Sequence, residues 1–493
     1  MESIKLNREN LTRIHGPVSV PGYDREKLVP SIIHIGLGHF HRAHQAAYLD
    51  ELLSKGLTRS GIFGINLIPD SFPLGEILKT QDYLYTLITK NPKGEADVRV
   101  VGSVTGYLNA EAGKEAALRR IADETTELIS LTVTEGGYYY DKATGEPDRK
   151  EAAVRHDLET PEDPETAAAC LAAALARRFK AGRKPLTIMC CDNIPANGKL
   201  LKSCVLFHCR EHYPEIIPWI EDSVSFPCSM VDRITPGTTP ELVKELEKRY
   251  SIKDRWPVCG EDFRQWVLED NFKTRIPDYG AAGVRIVKDV EPYELMKMRL
   301  LNGSHSALAY PSYLLGCRMV DQGITHPLIG DFIRNRYMEE VSPTLEPVPG
   351  IDLKAYKDTL VSRFSNKNIG DTLLRLASFG TSKFPNFMLK PLSEAVNKHL
   401  PYSSITFAVA CWARFLQGKD EQGAAIPIED MNKEVITRAA QKAQADPAAF
   451  LKTAGIQNLS EARLAAAAGT FKTQLDAVCR KGIKGALEEF LGK

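Results

Sequence analysis

The sequence carries no excess of charge of either sign, since lysine plus arginine and aspartate plus glutamate each number 63. Without a one-signed field there is nothing to recruit nucleic acid or an anionic membrane, and neither is expected as a partner. Cysteine is sparse as well, at 10 in 493 residues, and no two cysteines fall in a CxxC pair. The adjacent Cys190 and Cys191 have no matching His or Cys pair for zinc, so reduced and mostly buried thiols are expected. Long uncharged apolar runs are missing, which argues against a membrane span. The opening MESIKLNREN lacks the apolar core of a secretory signal, and the cytoplasm is the expected compartment. Repeats and low-complexity tracts are missing too.

What is present is a soluble, globular composition, 43% hydrophobic and 26% charged, in a chain long enough for two or three domains. VPSIIHI reads as a strand that runs through a glycine turn into a helix, and GIFGINL (61 to 67) as a second strand. Further strands are expected over 98–104, 128–134 and 186–193, with helical patterns over 114–121 and 166–179 between them. Strands alternating with helices predict a parallel, doubly wound sheet. From Pro292 the texture changes to Leu- and Ala-rich helical stretches over 293–309, 326–341, 353–364, 369–379, 391–398 and 404–417, with more beyond 430. The expected organisation is an α/β domain over 1–286 and a predominantly α-helical domain over 287–493.

HIGLGHFHRAH (34 to 44) places Gly36 and Gly38 between a strand and a helix, where backbone N–H groups can approach a pyrophosphate. His41 stands where the third glycine of GxGxxG belongs, so the generic motif is incomplete. Beyond the second strand, Asp70 is the candidate acid for a ribose diol. No Lys or Arg lies between Asn66 and Pro73 to neutralise a 2'-phosphate, which favours NAD over NADP.

PYELMKMRLLNGSHSALAYP (292 to 311) is apolar yet carries Glu294, Lys297, Asn302 and His305. On an α-helix Glu294 and His305 fall about 60° and 80° from Lys297, and Asn302 about 140°, so the four share one broad face. Lys297 and His305 are separated by about 12 Å along the axis, part of which a long lysine stem covers. Such a set suits alcohol oxidation. A lysine desolvated among Leu and Met side chains becomes a usable base, and Asn302 offers neutral donors to the reacting oxygen. Periodicity alone favours a solvated face with a snorkelling lysine and a His305 satisfied in the core.

Taken together, GLGHFHRAHQAAYLDELL, LTVTEGGY, CDNIPANG, VDRITP, PYELMKMRLLNGSH and VPGIDLKAYKDTLVSRFSN with SKFPNF resemble the long-chain polyol dehydrogenases. The blocks run in order from about residue 2 to beyond 415. The resemblance implies a Rossmann-type NAD-binding domain plus a helical substrate-binding domain, with the site in the cleft between them. It also implies metal-independent, NAD-dependent interconversion of mannitol and fructose. By this resemblance Lys297 is the general base, Asn193 and Asn302 position the reacting oxygen, and His305 holds a substrate hydroxyl. Asp232, Arg375 and Lys383 match positions that hydrogen-bond the polyol, and His41 and Arg42 belong to the family's own form of the glycine turn. Ser71 stands where relatives can carry a second acid.

A base sealed from water must pass its proton on, and Glu294, one turn before Lys297, is placed to do so; Glu135 is a second candidate relay. The implied partner is a small polyol or ketose, with no nucleic acid, no membrane, and a monomer as the working expectation. Rival readings are a D-arabinitol dehydrogenase, a hexuronate (fructuronate) reductase, in which Arg375 and Lys383 would serve a carboxylate, and a non-catalytic NAD- or sugar-binding sensor.

Overall fold

The computed structural model describes residues 3–68, 73–109, 113–142 and 144–493. The chain divides into two compact units, Met1–Glu291 and Pro292–Lys493.

The first unit is built on a five-stranded parallel sheet of β1 (Val29–Ile35), β2 (Ser60–Asn66), β3 (Val104–Asn109), β4 (Leu128–Leu131) and β5 (Thr187–Cys190). Its order is β3-β2-β1-β4-β5. Side chains alternate between faces, and both faces are covered, so the strands read as unbroken apolar runs. Ile33 and Ile35 join one core with Leu118, Leu171 and Val205, from the helices Lys114–Ala122, Ala167–Lys180 and Asn197–His212. Ile32 joins the opposite core with Tyr48, Leu49 and Leu52 of the helix Gln45–Ser54. Thr166 starts the Ala-rich helix by accepting a hydrogen bond from the Ala169 N–H, a cap worth about 1 kcal/mol.

Two smaller sheets, of four and three strands, were not legible in the sequence, nor was the two-stranded pairing of Ile4–Lys5 with Ile252–Lys253. One comprises Val258–Glu261, Tyr85–Lys90, Ala96–Val101 and Val18–Ser19, the other Ser229–Asp232, Gln265–Glu269 and Arg285–Val287. The single strand expected over 98–104 is in fact two strands in different sheets. Ala96–Val101 pairs antiparallel with Tyr85–Lys90, whereas β3 joins the parallel sheet. At the bend between them the Gly102 N–H donates to Asp50 Oδ1 at 2.9 Å and Ser103 Oγ to the Ala46 carbonyl at 2.8 Å. A side chain on Gly102 would meet Pro21 Cγ at 2.8 Å, so the bend requires glycine.

The second unit is helical, and the expected helix over 293–309 is three pieces. An α-helix Glu291–Met296 leads into a π-helix Lys297–Asn302 and then an α-helix Gly303–Leu314. Further π turns lie at Phe332–Tyr337 and Pro385–Leu389. The helix expected over 369–379 is only Leu373–Ala377. Ser403–Phe415 packs against the long C-terminal helix Glu461–Leu491, and Trp412 stacks on Phe384 with ring centroids 3.9 Å apart. Among the described residues no helix is long and apolar enough to cross a membrane.

Candidate active site

In the first unit, Gly36, Gly38 and Asn193 follow strands of the parallel sheet, whereas Asp232 ends a strand of another sheet. Gly36 follows β1 with φ +93°, and a Cβ built there would lie 2.1 Å from the Thr132 carbonyl oxygen, so only glycine fits. The turn is held from three strands. Asn66 at the end of β2 accepts the Leu37 N–H at 2.8 Å, Thr132 Oγ1 donates to the Gly36 carbonyl at 2.9 Å, and His34 Nε2 lies 3.2 Å from that same carbonyl. Gly38 then caps the short helix His39–Ala43. This combination of a tight glycine turn and a helix start after β1 fits a dinucleotide pyrophosphate. Asp70, the candidate for the ribose, lies outside the described residues, as does Ser71.

Four histidines crowd this turn. His34 and His41 stack with centroids 3.4 Å apart and 17° between planes. Burial lowers the pKa of His34 and of His44 to about 3, that of His39 to about 4, and that of His41 well below the ordinary range, so all four are neutral imidazoles. Arg42 donates to the Trp256 carbonyl at 2.8 Å and lies against the Tyr85 ring.

Asn193 is exposed in the turn that follows β5, and Asp232 is buried at the C-terminal end of Ser229–Asp232. Arg233, its neighbour in VDR, donates to the carbonyls of Glu261 and Ala43. Glu135 pairs with Lys142 at 2.8 Å.

In the second unit, Glu294, Lys297, Asn302 and His305 are all buried. Lys297 opens the π segment and Asn302 closes it. This corrects the wheel drawn at 100° per residue. Hydrogen bonding i to i+5 widens the turn and brings residues five apart nearly into line, so Asn302 lies closer to the direction of Lys297 than an α-helix would set it. π turns of this kind recur at functional sites. Asn302 Nδ2 and His305 Nε2 are buried with no hydrogen-bond partner among the described residues, which leaves donors and acceptors for something the chain does not itself provide.

The His305 ring packs on Phe364 at 4.4 Å between centroids. Burial, followed by the positive charges of Arg375, Arg363, Lys383 and Lys297, holds its pKa well below the ordinary histidine value. The same interactions show that the fold brings Lys297, His305, Arg375 and Lys383 into one neighbourhood. Arg375 is gripped by Asp371, and Lys383 Nζ donates to the Leu376 carbonyl at 3.1 Å. Burial, reinforced by Arg375, lowers the Lys383 ammonium to about 8. Arg363, Phe364 and Asp371 were not singled out in the sequence. Only the quoted VSRFSN block pointed near them.

A parallel sheet in the order 3-2-1-4-5 with a glycine turn after its first strand defines the Rossmann-type dinucleotide-binding class, here joined to a helical unit with a buried Lys, Asn and His. Residues 30–279 match the mannitol dehydrogenase Rossmann domain and residues 289–479 the mannitol dehydrogenase C-terminal domain. The chain belongs to the mannitol dehydrogenase family, and the α/β plus helical architecture expected from its sequence is that of the family.

Mannitol 2-dehydrogenase of Phaeosphaeria nodorum is 41% identical over 442 residues, covering 89% of this chain and 78% of that protein. Mannitol 2-dehydrogenase of Aspergillus terreus is 37% identical over the whole of both chains. Among solved structures, Pseudomonas fluorescens mannitol 2-dehydrogenase in ternary complex with NAD and D-mannitol matches with a TM-score of 0.92 and 37% identity, over 99% of this chain and 100% of that one. A D-sorbitol dehydrogenase in substrate-free form matches with a TM-score of 0.86 and 35% identity, over 98% of this chain and 100% of that one.

Proposed function

We propose that this chain is an NAD-dependent polyol dehydrogenase that oxidises D-mannitol at C2 to D-fructose and catalyses the reverse reaction. The observation that carries the reading is the buried set of Lys297 and Asn302 on a π turn and His305 in the α-helix that follows, with Asn302 Nδ2 and His305 Nε2 lacking a hydrogen-bond partner among the described residues. It stands in a chain whose relatives include mannitol 2-dehydrogenases. Gly36, Gly38 and the backbone around them would hold the NAD pyrophosphate, with Asp70 on the adenosine ribose. NAD, when bound, supplies the hydride acceptor.

Lys297 takes the C2 hydroxyl proton as the C2–H bond breaks, and in the reverse direction its ammonium returns that proton. Asn193 and Asn302 donate hydrogen bonds to the reacting oxygen, where negative charge develops. His305, kept neutral by burial, can both donate to and accept from a substrate hydroxyl. Asp232, Arg375 and Lys383 bind the remaining hydroxyls. Glu294, buried one turn before Lys297, passes the proton onward.

The similarity to a D-sorbitol dehydrogenase supports a second reading in which D-sorbitol, which differs from mannitol only in configuration at C2, is the preferred polyol. The test is a screen of mannitol, sorbitol, arabinitol and mannonate with NAD and NADP. Formation of NADH with mannitol at the highest kcat/KM is the expected result, and no NADH with any polyol would sink the proposal. Lys297→Ala should lower turnover roughly 10²- to 10⁴-fold while retaining NADH binding; near-normal turnover would remove Lys297 from the mechanism.

A further inference from the structure

The CDNIPANG block contains two asparagines, and only Asn193 has been given a role. Asn197 is fully buried, and its amide makes three hydrogen bonds. Nδ2 donates to the Asp192 carbonyl at 2.9 Å and to the Ser229 carbonyl at 2.8 Å, while Oδ1 accepts the Ser229 N–H at 3.0 Å. Asp192 immediately precedes Asn193, and Ser229 begins the strand that ends at Asp232. The two strands belong to different sheets. Ser229 Oγ adds a hydrogen bond to the Cys190 carbonyl across the same seam.

The Asp192 carboxylate anchors the turn from its other side. Oδ2 accepts the Val133 N–H at 3.0 Å and the Tyr138 hydroxyl at 2.7 Å, and Oδ1 accepts the Thr134 N–H at 2.8 Å. Thr134 lies at φ +65° and Ala196 at φ +49°, conformations that residues with side chains avoid unless their surroundings impose them. Asn193 is itself exposed, so burial does not fix its direction. The buried groups beside it hold the backbone on either side.

We infer that Asn197 and Asp192 are positioning residues, which lock the turn carrying Asn193 against the segment that follows β4 on one side and against the strand carrying Asp232 on the other. Neither touches substrate in this account. The inference rests on the proposed contact of Asn193 with the reacting oxygen. A donor aimed at a developing oxyanion is useful only when held in place, since a displacement of about 1 Å can cost on the order of 100-fold in rate.

The test is a double-mutant cycle on mannitol oxidation by the full chain, pairing Asn197→Ala with Asn193→Ala. Asn197→Ala should lower kcat roughly 100-fold when Asn193 is present and less than about threefold in the Asn193→Ala background, with NADH affinity unchanged within about twofold. Any effect transmitted to Asp232 should appear in KM for the polyol. Equal kcat losses in both backgrounds, or no loss in either, would overturn the positioning role while leaving that of Asn193 intact. Full kcat in Asn193→Ala alone would instead remove Asn193 from the reaction, and this inference with it. Should Asn197→Ala not fold, Tyr138→Phe, which removes only one donor to Asp192, carries the same cycle. Its kcat loss of several-fold should be present with Asn193 and absent without it, and a loss equal in both backgrounds would overturn the inference.

Discussion

Asp371, four residues before Arg375 and just ahead of the helix Leu373–Ala377, holds it through two hydrogen bonds, Nε to Oδ1 at 2.5 Å and Nη2 to Oδ2 at 2.6 Å. The fork-on-fork pairing fixes the plane of the guanidinium as well as its place. If Arg375 binds polyol hydroxyls, Asp371→Ala frees it to wander, and KM for mannitol should rise about tenfold, on the scale of a charged hydrogen bond. Initial-rate kinetics at saturating NAD check this, and an unchanged KM would mean that Arg375 does not contact substrate.

Lys383 is expected to reveal itself through pH. Its folded pKa is depressed to about 8, so its charge disappears as pH climbs through that value. KM for the polyol should then rise above about pH 8, and Lys383→Met should show a raised KM that no longer changes there.

Gly36→Ala should damage cofactor binding first. The added methyl would meet the Thr132 carbonyl at 2.1 Å, at a backbone angle of φ +93°. The strain is on the order of 1–3 kcal/mol or more, and relieving it moves the turn. KM for NAD should rise at least tenfold with a lowered melting temperature, measured by kinetics and calorimetry. A variant with native NAD affinity would show that the turn does not touch the dinucleotide.

The buried histidines predict acid sensitivity. A histidine whose folded pKa lies below its unfolded value of about 6.5 contributes stability that is complete above that pH and is lost as pH falls toward the folded pKa. His41, pushed well below the ordinary range by burial, therefore steepens the loss of stability as pH falls below about 6.5. Buried Asp50, Asp192 and Asp254, whose pKa values burial raises, pull the other way, so the comparison must be made site by site. His41→Asn should be less stable at every pH yet show a flatter slope in denaturant unfolding below about pH 6.5. An unchanged slope would mean that His41 is charged in the folded state.

Much of the architecture was legible because it is written in local patterns. The apolar run of β1, the glycines after it and the switch from strand to helix texture near Pro292 need only neighbouring residues to be read. Lys297, Asn302 and His305 stood out as polar residues in an apolar stretch, but periodicity alone favoured a solvated face, and it was the family resemblance that made them a candidate site. What was not legible depends on partners far away in sequence. The strand expected over 98–104 splits because Asp50 and Ala46, some fifty residues earlier, bind the bend at Gly102 and Ser103.

By itself, then, the sequence determined the main strands of the parallel sheet and many of the helices, that a strand-and-helix texture gives way to a helical one near Pro292, and which residues carry groups that could serve alcohol oxidation. Tertiary structure alone decided the directions in which those residues are held. The π turn between Lys297 and Asn302, the grip of Asp371 on Arg375, and the seam that Asn197 makes between two sheets have no local signature. A backbone widens its turn or accepts a positive φ only when packing and buried hydrogen bonds from distant segments repay the local cost.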